Sequence, residues 1–137
     1  GDLKVADFVS LPFADASFDL VYERAALSFT TRAGAASAVR EVWRVLKPGG
    51  LFQSGLYSDR DTSFHKAPDA DGAVRGITEG TITGGSQVCF YDAGLVRDLF
   101  AGWDLVSMKH IEEVEALAAD RLAHCEWLTI ARRPDSK

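Results

Sequence analysis

The chain has 137 residues, 47% of them hydrophobic and 26% charged, which leaves room for one domain with a modest core and excludes both a disordered polyelectrolyte and a pair of independent domains. The net charge is −5, and no basic cluster is longer than Arg132-Arg133, which argues against a surface for nucleic-acid phosphates. No apolar run reaches the ~18 residues of a membrane span and no charged-then-apolar leader is present, so the expectation is a soluble cytoplasmic protein without a membrane partner.

In chain order, Leu3 to Phe8 (LKVADF) predicts a strand with Asp7 near its end. A Pro/Asp/Ala/Ser turn at Pro12 to Ser17 leads into a second strand, Phe18 to Tyr22. Tyr22, Glu23 and Arg24 fall at the carboxyl end of that strand, outside which the ligands of open α/β sheets sit. The competing reading is a Glu–Arg pair dressing a helical turn. Val39, Val42, Trp43 and Leu46 recur at i, i+3, i+4 and i+7, predicting a helix from about Ala35 to Leu46. Pro48, Gly49 and Gly50 end it, and Leu51 to Tyr57 is the next strand, which completes a βαβ unit. The Gly49-Gly50 pair follows a helix and precedes a strand, the reverse of the order a phosphate loop needs, so its role is structural.

From Asp59 the chain becomes polar and rich in Gly and Asp up to Val88, longer than an ordinary connection and therefore either functional or partly disordered. Asp59, Arg60 and Asp61 lie at the carboxyl edge of the preceding strand. His65 is placed to act as a general base or, more simply, as a solvated loop histidine. Thr81 to Thr83, Gly84-Gly85 and Gln87 to Phe90 suggest a small hairpin with a Gly-Gly turn. Asp92 caps a helix from Ala93 to Ala101, with Leu95, Val96, Leu99 and Phe100 facing inward and Gly102 ending it. Trp103 to Ile111 and Cys125 to Arg132 alternate as strands, and the good helix formers of EEVEALAADRLA between them predict a turn or two of helix. His110, His124, Cys89 and Cys125 lack the spacing of a zinc site, so no metal is expected and both cysteines read as reduced core or strand thiols.

Two stretches carry a resemblance. LPFADASFDLVYERAAL followed by VREVWRVLKPGGLF is very similar to the second half of a class I S-adenosylmethionine-dependent methyltransferase, and the order and spacing of the later helix and strand pair continue the likeness. The resemblance implies a Rossmann-like sheet whose last two strands are an antiparallel pair, and S-adenosylmethionine as cofactor. It implies that Asp7 and Phe8 meet the adenine, though Asp7 reads equally as the cap of a turn into Val9-Ser10. Tyr22, Glu23 and Arg24 match the segment that lines the methionine side, and Asp59, Arg60 and Asp61 approach the methyl acceptor. The glycine-rich loop and the ribose-binding acid of that family have no counterpart here, so the match is to the C-terminal half of such a domain.

The fold expected is α/β: a partial Rossmann-like sheet, mostly parallel, with an antiparallel C-terminal strand pair and helices packed on it. One domain is expected, divided into a βαβ core (1–58), an insertion loop or hairpin (59–90) and a closing part (91–137). The expected function is a truncated S-adenosylmethionine-dependent methyltransferase-like protein with doubtful activity of its own. The alternative is a non-catalytic, self-associating scaffold, and a third reading is a small-ligand binder at the strand ends. Without the first two strands of the family, the edge of Phe18 to Tyr22 is bare. Residues 3–8 are therefore expected to move in beside it, or two copies to pair across it as a homodimer.

Overall fold

The computed structural model describes residues 1–84 and 87–135. A four-stranded sheet forms in the order β1-β2-β4-β3. Its strands are β1 (Phe18–Tyr22), β2 (Leu46–Tyr57), β3 (Asp104–Val114) and β4 (Ala123–Arg132), and its helices are α1 (Arg32–Val45) and α2 (Ala93–Leu99). β1 and β2 are parallel, while β4 runs antiparallel to both of its neighbours. The class and the antiparallel C-terminal pair are as the sequence predicts, and the parallel part is confined to one pair because the strand expected at Leu3 to Phe8 does not form. That segment has no strand partner: Leu3 and Val5 are fully exposed, and Asp7 bridges Ser10 in a tight turn. Residues 3–8 do not move in beside β1, which stands at the edge of the sheet.

Helix α1 starts three residues before the expected Ala35 because Thr31 caps it, its hydroxyl accepting from the Gly34 N–H at 3.0 Å. Ala35, Ala38, Val39, Val42 and Val45 form its buried stripe. The chain turns directly from α1 into β2, so Pro48-Gly49-Gly50 is built into the strand as a bulge: Phe18 pairs with Leu46, and Leu20 already with Leu51. Gly49, at φ 81°, supplies the left-handed residue this requires, and its N–H donates to the Arg133 carbonyl at 2.8 Å. Asp92 caps α2 as predicted, accepting from the Leu95 N–H at 2.8 Å, and the helix ends at Leu99, two residues before the expected Ala101.

Both helices pack on one face of the sheet, burying Phe52, Leu56, Ala131, Val96 and Phe100 together. The strand register puts Leu20, Leu51, Gln53, Leu128 and Ile130 on the opposite face, where Leu20 and Tyr22 are exposed. The segment 59–90 carries its own small core of Val74, Ile77, Ile82, Val88 and Phe90. Within it Val88 exchanges backbone hydrogen bonds with Val74, so the strand-like residues Gln87 to Phe90 find a different partner from the predicted Thr81 to Thr83. The expected Gly84-Gly85 turn lies partly outside the described residues. The helical turns expected between β3 and β4 are absent: Ile111 to Val114 pair with Ala123 to Glu126, and only turns remain at the tip. Cross-strand pairing there overrides helix propensity. Both cysteines are free and buried, and burial pushes the Cys125 thiol up to about 11. Among the described residues no group of His, Cys, Asp and Glu is arranged to hold a metal ion, and no helix is long and apolar enough to cross a membrane.

Candidate functional site

The carboxyl ends of β1 and β2 and the start of antiparallel β4 lie at one end of the sheet. At the end of β1, Glu23 turns inward. Its carboxylate accepts from the Ser54 hydroxyl, from the Gly55 N–H at 3.2 Å and from the Leu27 N–H at 3.4 Å, tying β1 to β2 and to the 3-10 turn that follows. Burial raises the Glu23 pKa above the ordinary carboxyl value, against the lowering effect of these donors. Arg24 turns the other way and donates to Glu126 Oε1 at 2.8 Å. Its side chain is 57% exposed while that of Glu126 is 3% exposed, so the pair exists because a buried carboxylate on β4 requires a cation. Between them Ala25 sits at φ 67°, a strained conformation for a residue with a Cβ, held by its N–H donating to the Gly55 carbonyl at 2.8 Å.

Phe8, Leu11, Tyr22, Glu23, Leu27 and Phe52 line a cavity of about 160 Å³. The fold thus brings Phe8 to Tyr22 and Glu23. Asp7 is not part of that lining: its Oδ1 accepts from the Val9 N–H at 3.0 Å and its carbonyl from the Ser10 N–H at 2.9 Å, the turn-capping arrangement. On the opposite face Tyr22, Arg24, Ile111, Glu113, Glu126 and Leu128 border a second hollow of about 230 Å³.

Beyond β2, Asp59 is half-buried with its N–H on the Tyr91 carbonyl, and Arg60 is exposed. Asp61 is buried and fully engaged. It accepts from the Ser63 N–H (2.9 Å), the Thr81 hydroxyl (2.9 Å), the Cys125 N–H (2.9 Å) and His124 Nδ1 (3.0 Å). Of the three residues expected near the acceptor, Asp61 is therefore a structural keystone whose oxygens face protein donors. His65 is exposed, and its backbone N–H meets the Ser63 carbonyl at 3.1 Å.

Two other histidines occupy the polar network instead. His124 Nε2 lies 3.8 Å from Glu126 Oε2, and its ring stacks edge-on against Tyr57 at 5.4 Å. His110 Nε2 meets the buried Ser58 hydroxyl at 2.8 Å and its ring packs against Trp127. Arg24, Glu126, His124, Asp61 and Thr81 thus form one chain of charged and polar contacts across the end of the sheet. Glu126 was the signal available in the sequence: an acid inside the apolar strand CEWLTI needs a partner.

The family described as a methyltransferase domain matches residues 1–53. The chain is 41% identical over 81 residues to 24-methylenesterol C-methyltransferase 2 of Oryza sativa subsp. japonica, a match covering 58% of this chain and 21% of that protein. It is 34% identical over 111 residues to sterol 24-C-methyltransferase ERG6B of Gibberella zeae, covering 80% of this chain and 27% of that protein. The aligned stretches are thus only 21% and 27% of the length of these curated relatives. A crystal structure of an S-adenosylmethionine-dependent methyltransferase from Methanosarcina mazei superposes with a TM-score of 0.75 at 19% identity, over 97% of this chain and 67% of that one. A Burkholderia thailandensis 1,6-didemethyltoxoflavin-N1-methyltransferase with bound S-adenosylhomocysteine gives 0.63 at 12% identity, over 93% and 48%.

Proposed function

From a chain that carries the class I methyltransferase-like fold, with a methyltransferase-domain match over its first 53 residues, we propose that this segment is the acceptor-side half of an S-adenosylmethionine-dependent methyltransferase. The observation that carries the reading is the meeting of Phe8, Tyr22 and Glu23 around one cavity at the carboxyl end of β1. Phe8 offers a flat apolar face to the cofactor, and the partly buried Glu23 is the one acidic side chain lining the same cavity. The cavity of about 160 Å³ falls short of the ~300–1,000 Å³ of a ligand pocket, so these residues hold part of the cofactor and the remaining contacts come from elsewhere.

Bound there, S-adenosylmethionine supplies an electrophilic methyl group. The protein's contribution is to hold the acceptor in line with the breaking S–CH3 bond and to exclude water. Among the histidines, His124 fits proton transfer better than His65: Asp61 fixes its Nδ1–H and leaves Nε2 as the basic atom. The likeness to two sterol methyltransferases supports a sterol as acceptor.

Isothermal titration with S-adenosylhomocysteine tests the reading. Binding weaker than that of a complete pocket, lost in Phe8→Ala but kept by Asp7→Ala, a turn residue, is the expected result. No heat at millimolar ligand overturns cofactor binding by this chain alone.

A further inference from the structure

We propose that the hollow between α1 and α2 is a binding site for a free α-amino acid with an apolar side chain. The hollow holds about 190 Å³ and is walled by Arg32, Ala36, Tyr91, Leu95, Asp98 and Leu99. None of these lines the cavity of Phe8, Tyr22 and Glu23, so the site stands apart from cofactor binding.

Tyr91 is the residue that points to a ligand. It is 3% exposed, and its hydroxyl has no hydrogen-bond partner among the described residues. Buried hydroxyls are ordinarily paired, because an unpaired one gives up its hydration for nothing in return. The backbone of Tyr91 is held from three sides: its N–H donates to the Tyr57 carbonyl at 2.8 Å, and its carbonyl accepts from the Asp59 N–H at 3.1 Å and the Trp127 indole at 2.8 Å. Asp92, the next residue, caps α2, so the ring is fixed in the wall. Burial pushes the phenol well above its usual pKa range, outweighing the opposite effect of the Arg32 guanidinium, and the hydroxyl keeps its proton as a donor.

The rest of the wall supplies the complement of a zwitterion. Arg32 opens α1 with its N–H on the Asp71 carbonyl at 3.1 Å, and its side chain lies across Gly72, where φ is 86° and any Cβ would overlap it. Among the described residues neither Arg32 nor Asp98 makes an ion pair, so both charges are available. Arg32 and the Tyr91 hydroxyl both donate, as an α-carboxylate requires, and Asp98 accepts from an ammonium. Ala36, Leu95 and Leu99 offer apolar surface to the side chain of the amino acid. Asp98 disfavours a simple anion here and Arg32 a simple cation. The volume of about 190 Å³ suits phenylalanine or leucine, since a cavity of ~150 Å³ accepts benzene.

Titration of the nitrogen-15-labelled chain with L-phenylalanine, followed through amide chemical shifts, is the test. Shifts at Ala36, Tyr91 and Leu95 should saturate with a midpoint of about 0.1–10 mM, as befits a ligand of about a dozen heavy atoms. 3-Phenylpropionate, which lacks the ammonium, and phenethylamine, which lacks the carboxylate, should each bind about tenfold more weakly or worse. Tyr91→Phe and Arg32→Met should weaken L-phenylalanine by a similar factor. Because the Tyr91 hydroxyl makes no bond in the free protein, Tyr91→Phe should unfold at no lower urea concentration than the wild type, which separates lost binding from lost fold. No shift at these residues at about 50 mM ligand overturns the proposal. So does equal binding of the three compounds, or binding undiminished in Tyr91→Phe.

Discussion

Asp61 gathers donors from distant parts of the chain: Ser63, Thr81, His124 and Cys125. Removing a buried acceptor leaves each donor to bear its desolvation unpaired, at roughly 1–3 kcal/mol apiece. Asp61→Ala should therefore cost about 3 kcal/mol or more in urea unfolding, and Asp61→Asn, which keeps one oxygen, distinctly less. Glu23 makes the opposite kind of contribution. Its carboxyl pKa is raised in the folded state by burial, so the native protein binds a proton more tightly than the unfolded chain. Stability from this group is full below the ordinary carboxyl pKa of 4.5 and declines as pH rises from there through the raised value. In Glu23→Gln that decline should vanish from a plot of unfolding free energy against pH; an unchanged slope would refute the role given to Glu23. The residues that position took from the sequence, Tyr22, Glu23 and Arg24, do lie at the strand end. His124, Glu126 and the donors that engage Asp61 were not legible there, because each contact is defined by a partner on another strand: Asp61 meets His124, and Arg24 meets Glu126.

At the scale of elements, legibility followed how local the determining interaction is. β1 has the predicted limits and Asp92 caps α2, since a run of aromatic and aliphatic residues and an Asx cap are written within a few residues. LKVADF has strand composition but no strand partner among the described residues, and remains exposed. EEVEALAADRLA has helix composition but lies where β3 and β4 meet, and Glu112 and Glu113 join the ladder opposite Cys125 and His124. In both cases the sheet decided, through contacts that propensity does not contain. β2 is the element with most at stake, bordered on both sides and buried under both helices. Its Phe52 is completely buried against Phe100, Trp103 and α1. Phe52→Ala should cost about 3–5 kcal/mol, measured by chemical denaturation, whereas truncating an exposed residue of β3 such as Val106 should change little.

At the scale of the whole molecule, the α/β class was readable from the succession of elements, and the closing antiparallel pair from the likeness to class I methyltransferases. The mixed order β1-β2-β4-β3 has a kinetic consequence. The central strand lies between the first and the last in sequence, and its pairing with β4 joins Leu51 to Arg132. Arg133 then closes the seam, its N–H on the Gly50 carbonyl and its guanidinium on the Trp43 carbonyl at 2.9 Å. The core therefore cannot be completed by local hairpins alone: the β3–β4 ribbon can form early, but its docking beside β2 must meet the entropy of closing a long loop. Folding of this chain is accordingly governed by distant contacts and belongs among the slower topologies for its size, with the β1–α1–β2 unit lacking one sheet neighbour until its last strand arrives.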